Sequence, residues 1–159
     1  ALEEAFAYDL KVVVEQGVEN AREIECSVLG NEEPEAAALL GEIVPANEFY
    51  DYQAKYHNDE SELIIPAKVT TEQVEIIRSY AITAYKAVDC AGMARVDFFL
   101  DGDGQVILNE INTIPGFTRI SMYPKLWEAS GLPYGQLVDR LISLALQRHQ
   151  QRKALRTSL

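Results

Sequence analysis

Residues 94–121 read ARVDFFLDGDGQVILNEINTIPGFTRIS, and the fold turns on whether this stretch is a hairpin. Two apolar, β-rich runs flank a DGDG turn signal, the pattern of antiparallel strands joined tightly. Side chains alternate faces along such strands with a period of two. A two-residue turn at Asp103-Gly104 sets Asp97 opposite Glu110 and Arg95 opposite Asn112. A turn at Gly102-Asp103, or a loop of all four DGDG residues, shifts the register by two and keeps the parity. In each case Arg95, Asp97, Glu110 and Asn112 share one face, whereas a three-residue loop breaks the arrangement.

Directly opposed carboxylates, with Cβ atoms about 4.5–5.5 Å apart, repel unless a cation or a proton lies between them. Oxygen donors from Asp, Glu and Asn suit Mg²⁺ or Mn²⁺, which complete their shells with water and substrate phosphates. The alternative is a solvent-facing strand surface with an ion pair to Arg95, and spacing leaves both readings open. A calcium loop is a weaker fit. Phe99, Asp101, Asp103, Gly104 and Glu110 fall at positions 1, 3, 5, 6 and 12 of an EF-hand, but Phe99 removes the first ligand and the flanks read as strands rather than helices.

Upstream, residues 11–15 (KVVVE) form a β-branched run that reads as a buried strand. The strict alternation of EIECSV from Glu23 predicts a half-buried antiparallel strand, with Ile24, Cys26 and Val28 facing inward and ending at Gly30-Asn31. Residues 32–40 suggest a turn and one helical turn, and residues 41–45 another short strand. Residues 47–62 lack a sustained period and read as a long loop. A strand follows over residues 63–69, demoted to an edge or bulged position by Pro66. Thr70 and Gln73 then match a capping box ahead of Val74, Ile77, Ala81, Ala84, Tyr85 and Val88 at helical spacing. Short and long helices are predicted over residues 124–129 and 133–150, the second with an apolar stripe through Leu137, Val138, Leu141, Leu144 and Ala145, ending at Arg148. The order of elements gives an α+β layer, helices packed on a mainly antiparallel sheet.

With 159 residues, 48% of them apolar, the chain can bury one sizeable core. A net charge of −11 argues against nucleic acid or an anionic membrane as a partner. Two isolated cysteines, Cys26 and Cys90, supply neither a disulfide framework nor a zinc site, which fits a reducing cytoplasm. No apolar run reaches the roughly 18 residues of a membrane span, and no signal-like segment is visible. A phosphate-binding GxxxxGK[ST] is missing, and His57 and His149 have no nucleophile partner context. Opening on Ala1 in what reads as mid-element, the chain is expected to be a fragment of a longer protein.

Four ordered segments resemble the C-terminal part of bacterial D-alanine–D-alanine ligases, which are ATP-grasp enzymes. They are VVVEQGVENAREIECSVLGN (residues 12–31), YDYQAKY (50–56), ARVDFF (94–99) and NEINTIPGFTRISMYP (109–124). The resemblance spans residues 11 to about 146. It implies an ATP-grasp C-terminal domain over residues 16–159, with residues 1–15 closing a central subdomain and the upstream domains missing. It further implies a reaction in which ATP phosphorylates one D-alanine and the amine of a second attacks the acyl phosphate, giving a dipeptide for peptidoglycan precursors. Asp97, Glu110 and Asn112 would hold two Mg²⁺ or Mn²⁺ ions. Arg95 and the Gly116 N–H would stabilise the transferring phosphoryl group and the oxyanion.

By the same resemblance, Ser121 and the Met122 N–H would bind the second substrate's carboxylate. Glu15, with the backbone of Gln16 and Val18, would read adenine, and Glu23 the ribose. Gln16 stands where the family often has Lys, a change of little consequence for a backbone contact. Lys55 and Tyr56 would belong to a loop closing over the site, the lysine on phosphate and the tyrosine marking the D-alanine-specific form. Arg119 is a neighbour of Ser121 without an assigned role. The implied partners are D-alanine, ATP and the remaining domains of the same enzyme, and a homodimer is compatible. Alternatives are a related ligase accepting D-lactate or D-serine, and a non-enzymatic module binding a divalent cation.

Overall fold

The computed structural model describes residues 1–44, 62–118 and 120–156. Lys55, Tyr56, His57 and Arg119 lie outside the described residues, as does the loop expected over 47–62 except for Glu62, which opens a strand. In chain order the elements are α1 (Leu2–Ala5), β1 (Arg22–Gly30), β2 (Glu35–Ala36), β3 (Gly41–Val44), β4 (Glu62–Ile64), α2 (Thr71–Ala87), β5 (Gly92–Leu100), β6 (Val106–Asn112), α3 (Met122–Ala129) and α4 (Tyr134–Ala154). The strands form one antiparallel sheet ordered β4-β3-β1-β5-β6, with β2 added to β1. This is the α+β arrangement expected from the pattern of elements.

The sheet is covered on both faces. Against one lies α2, whose Ile77, Ala81 and Tyr85 recur one turn apart and pack on Cys26, Val28, Val96 and Phe98. Its start is fixed by the capping box: Thr70 Oγ1 accepts the Gln73 N–H at 3.2 Å, and Gln73 Oε1 accepts the Thr70 N–H at 3.0 Å. Such a cap contributes about 1 kcal/mol. The Tyr85 hydroxyl donates to the buried Gly30 carbonyl at 2.7 Å, fastening the far end of α2 to β1. On the other face, α3 and α4 bury Tyr123, Leu126, Trp127 and Leu137 against Leu29 and Ala37. The Tyr123 hydroxyl donates to Val28 O at 3.1 Å, and Ser27 Oγ to Tyr123 O at 3.3 Å, so α3 is tied to β1 in both directions.

Several local expectations are corrected. β1 is not half-buried: every residue from Ile24 to Gly30 is buried, because helices cover both sides of it. Residues 11–15 form no strand, and Val13 and Val14 are 69% and 75% exposed. No described strand pairs with that run, and β-branched residues favour a strand only where neighbours complete it. Residues 32–40 contain the short strand β2 instead of a helical turn, since Val28 and Leu29 offer an edge that Ala36 and Glu35 pair with. The edge strand expected over 63–69 pairs only from Glu62 to Ile64, stopping before Pro66, which has no N–H to donate. Val88 leaves the helical stripe because the chain departs from helical geometry there (φ −97°, ψ 12°), and its side chain is half exposed. α4 begins at Tyr134 and runs four residues past its expected end, to Ala154.

A buried carboxylate joins β1 to β3. Glu42 receives hydrogen bonds from Arg22 Nε and Nη2, both at 2.7 Å, and Arg22 Nη2 also donates to Lys68 O. The Arg22 hydrogen bonds hold the Glu42 pKa below its ordinary 4.5, against the opposing pull of burial. The unfolded chain therefore takes up this proton first as pH falls. The contribution is complete above about pH 4.5 and disappears as pH drops through the depressed folded value. Thermal midpoints followed downward from neutral pH are expected to fall less steeply in the acid range for Glu42→Gln than for the parent chain.

Candidate functional site

The hairpin has the odd loop that parity forbids, and a second irregularity corrects it. Leu100 pairs with Val106, and Asp101 N–H donates to Gln105 O at 3.1 Å, leaving the three residues 102–104 as the loop. Asp101 Oδ1 accepts the N–H groups of Asp103 (3.0 Å) and Gln105 (2.7 Å), and Gly104 adopts φ +82°, a backbone state that favours glycine. In an unbroken ladder this register would set Asn109 opposite Asp97 and turn Glu110 to the α2 face. The register instead shifts between Asp97 and Phe98, so Phe98 pairs with Leu108 while Asp97 pairs with Glu110. Asn109 is the extra residue of a β-bulge. Beyond it Ile111 packs into the α2-side core, and Glu110 and Asn112 face the other way, beside Asp97 and Arg95.

The four polar residues do meet. Arg95 binds Asp97 through Nε–Oδ1 (2.8 Å) and Nη2–Oδ2 (2.7 Å). Asn112 Nδ2 bridges Asp97 Oδ2 at 3.0 Å and Glu110 Oε1 at 3.2 Å. The repulsion between facing carboxylates is thus already relieved by a guanidinium and an amide. Burial pulls the Arg95 pKa down, but the Asp97 hydrogen bonds and the charges of Glu25, Asp97 and Glu110 outweigh it and the net shift is upward. Arg95 is therefore a fixed cation. Among the described residues no group of three or more His, Cys, Asp or Glu is poised to hold a metal. Two carboxylates and an amide oxygen nevertheless fit Mg²⁺, which takes one or two protein carboxylates and draws its remaining ligands from water and phosphates.

Sequence reasoning missed Glu25. It sits opposite Asp97 in the β1–β5 ladder, 4% exposed, with Oε1 3.2 Å from Arg95 Nε. The alternation of EIECSV marks it as polar-facing, but only the register shows which residues it faces. Glu23 lies two residues away on the same face, opposite Phe99. The residues expected to read a nucleotide base lie near the hairpin loop. Gln16 and Val18, with Gly17 and Glu19, line a cleft of about 630 Å³ whose other wall is Asp101, Gly102, Asp103 and Ile107. Glu15 is exposed next to this segment. Cys26 is no nucleophile candidate, since burial pushes its thiol up to about 12.

The Pro-Gly loop leads into α3. Phe117 anchors it through ring contacts with Tyr123 (5.8 Å between centroids) and Tyr134 (5.3 Å). Ser121 stands at the N-cap of α3, but its hydroxyl is engaged by Thr118 N (3.0 Å) and Thr118 Oγ1 (2.9 Å) rather than by the helix. The first N–H groups of α3, Met122 among them, are not capped by that side chain. Gly116 is exposed, and a Cβ built on it would lie 2.9 Å from Ser121 Oγ.

An antiparallel sheet with helices on both faces carries a charged hairpin beside a glycine-containing loop, and the same fold is found in D-alanine–D-alanine ligases. The family described as D-ala D-ala ligase C-terminus matches residues 1–143. The D-alanine–D-alanine ligase of Geobacillus thermodenitrificans is 56% identical over 155 residues, 98% of this chain and 42% of that protein. Among solved structures, the D-alanine-D-alanine ligase from Coxiella burnetii aligns with a TM-score of 0.78 at 45% identity, over 96% of this chain and 38% of that one. The Bacillus anthracis ligase complexed with ATP aligns with a TM-score of 0.76 at 32% identity, over 95% of this chain and 48% of its own. The chain belongs to the D-alanine–D-alanine ligase C-terminal family, and it spans less than half the length of these relatives.

The tight approach of Gly116 to Ser121 has a measurable consequence. Gly116→Ala is expected to drive the Ser121 hydroxyl out of its present rotamer and break both contacts with Thr118. The loop is exposed, so the stability loss should stay within about 1 kcal/mol, readable by urea unfolding.

Proposed function

We propose that this chain is the catalytic, nucleotide-binding part of an ATP-dependent ligase that joins two D-alanines through an acyl phosphate, in the supply of peptidoglycan precursors in the cytoplasm. The observation that carries the reading is the cluster of Arg95, Asp97, Glu110 and Asn112 on one face, assembled by the Asn109 bulge. Residues 16–159 form the C-terminal catalytic domain in this reading, and residues 1–15 close the central subdomain. The exposed Leu10, Val13 and Val14 suit packing against further protein.

Asp97, Glu110 and Asn112 would hold two Mg²⁺ or Mn²⁺ ions. When bound, these ions neutralise phosphate charge during transfer. The Asn112 amide would turn its oxygen toward a cation, replacing the hydrogen bonds it donates to the two carboxylates. Arg95 supplies a fixed positive charge beside the phosphoryl group, effective because the side chain is only 18% exposed. The Gly116 N–H is offered to the oxyanion by an exposed residue that has no side chain of its own to obstruct the approach. Ser121 and the Met122 N–H receive the acceptor's carboxylate, which also finds the positive end of the α3 dipole.

On the nucleotide side, Glu15 and the backbone of Gln16 and Val18 read the adenine edge from the cleft beside the hairpin, with Glu23 on the ribose. Lys55 and Tyr56 complete the reading by sequence position alone.

In the full-length enzyme, Glu110→Gln is expected to keep the fold, by circular dichroism and thermal midpoint, while phosphoryl transfer drops by at least about 10²-fold. Near-normal turnover would remove the metal assignment. The 159 residues alone are expected to bind Mg-nucleotide weakly and to form no dipeptide, a prediction checked by chromatography of an ATP and D-alanine incubation. Competing D-lactate and D-serine in the full-length assay report the acceptor.

A further inference from the structure

Glu25 has no role in the reaction as set out above, yet its place is built. It lies mid-strand between Gly41 of β3 and Asp97 of β5, on the sheet face that carries the cluster. Gly41 has no side chain, and the Met122 thioether fills the space: a Cβ on Gly41 would come within 2.5 Å of its Sδ. Glu25 is left 4% exposed. A carboxylate enters such surroundings only with compensating charge, and among the described residues Arg95 supplies it, with Nε 3.2 Å from Glu25 Oε1.

Arg95 is thus shared between two carboxylates of different availability. Nε and Nη2 both bond Asp97, the residue assigned above to a divalent cation, while the same Nε faces Glu25. A cation on Asp97 competes with Arg95 for the same pair of oxygens. Glu25, only 4% exposed, stays with Arg95. We propose that Glu25 is a positioning residue that keeps Arg95 aimed at the cluster when Asp97 is given over to the metal. The inference rests on the ligase reading for the task of Arg95, while the ion-pair geometry stands apart from it.

The test is a double-mutant cycle in the full-length enzyme, combining Glu25→Gln, which keeps the shape and drops the charge, with Arg95→Gln. Glu25→Gln alone should lower kcat on the order of 10²-fold through misplacement of Arg95. KM for ATP and D-alanine should move by less than about twofold. Manganese affinity, titrated without nucleotide, should weaken because Arg95 then leans wholly on Asp97. In the Arg95→Gln background, Glu25→Gln should lower neither kcat nor manganese affinity further. Glu25→Asp keeps the charge at shorter reach and should give smaller, equally non-additive losses; it replaces Glu25→Gln in the cycle if that variant does not fold.

Additive losses, unchanged kcat and manganese binding in the single variant, or a parent that binds no manganese would each overturn the proposal. A parent that binds manganese but forms no dipeptide defeats the ligase reading instead, and the manganese half of the cycle then decides this one.

Discussion

Nine residues of β1 pair with nine of β5, from Arg22 opposite Leu100 to Gly30 opposite Gly92. Both layers of the structure hang on this ladder. On one side it lines up Ile24, Cys26 and Val28 with Ala94, Val96, Phe98 and Leu100 as a floor for α2. On the other it sets Ser27 opposite Arg95 and Glu25 opposite Asp97, so that the helix-covered end of the face passes directly into the charged end. Burial of each large apolar side chain on this floor contributes roughly 1.5–3 kcal/mol, and the ladder decides which chains are buried together.

The charged end depends on two irregularities that cancel. An odd hairpin loop would turn Glu110 and Asn112 away from Asp97, and the Asn109 bulge turns them back. Had only one been present, Ile111 would leave the core and a carboxylate would enter it, a costly exchange that makes the register strongly specified. Bulges also bend and twist the strand that carries them. Here the bulge lies within one residue of the proposed metal ligand Glu110.

Arg95 is the common member of the cluster. Glu25 approaches it from β1, Asp97 from its own strand, and Asn112 links Asp97 onward to Glu110. A buried ion pair of this kind is weak support for stability, since desolvation offsets much of its attraction. Its value lies in orientation: a planar guanidinium held by two carboxylates has few positions open to it. The same economy of movement holds for the loop before α3, where Phe117 is packed between Tyr123 and Tyr134 and the Ser121 hydroxyl is held by Thr118.

The sequence by itself determined what depends on local chemistry. The capping box and one-turn spacing of Ile77, Ala81 and Tyr85 dictated α2, and alternating polarity with a glycine-rich turn dictated a hairpin whose four polar residues share a face. That face was inferred from an even loop, and the structure reaches it through an odd loop and a bulge, because a single extra residue leaves no mark in the pattern. Tertiary structure alone decided the rest. Residues 11–15 carry strand propensity but find no described partner, so the run forms no strand and stays largely exposed. Glu25 carries the pattern of a surface acid, yet pairing with β5 and the Met122 side chain over Gly41 bury it against Arg95. Propensity and periodicity are properties of neighbours along the chain, whereas the surroundings of Glu25 come from residues 16 to 97 positions away, which only the folded sheet brings together.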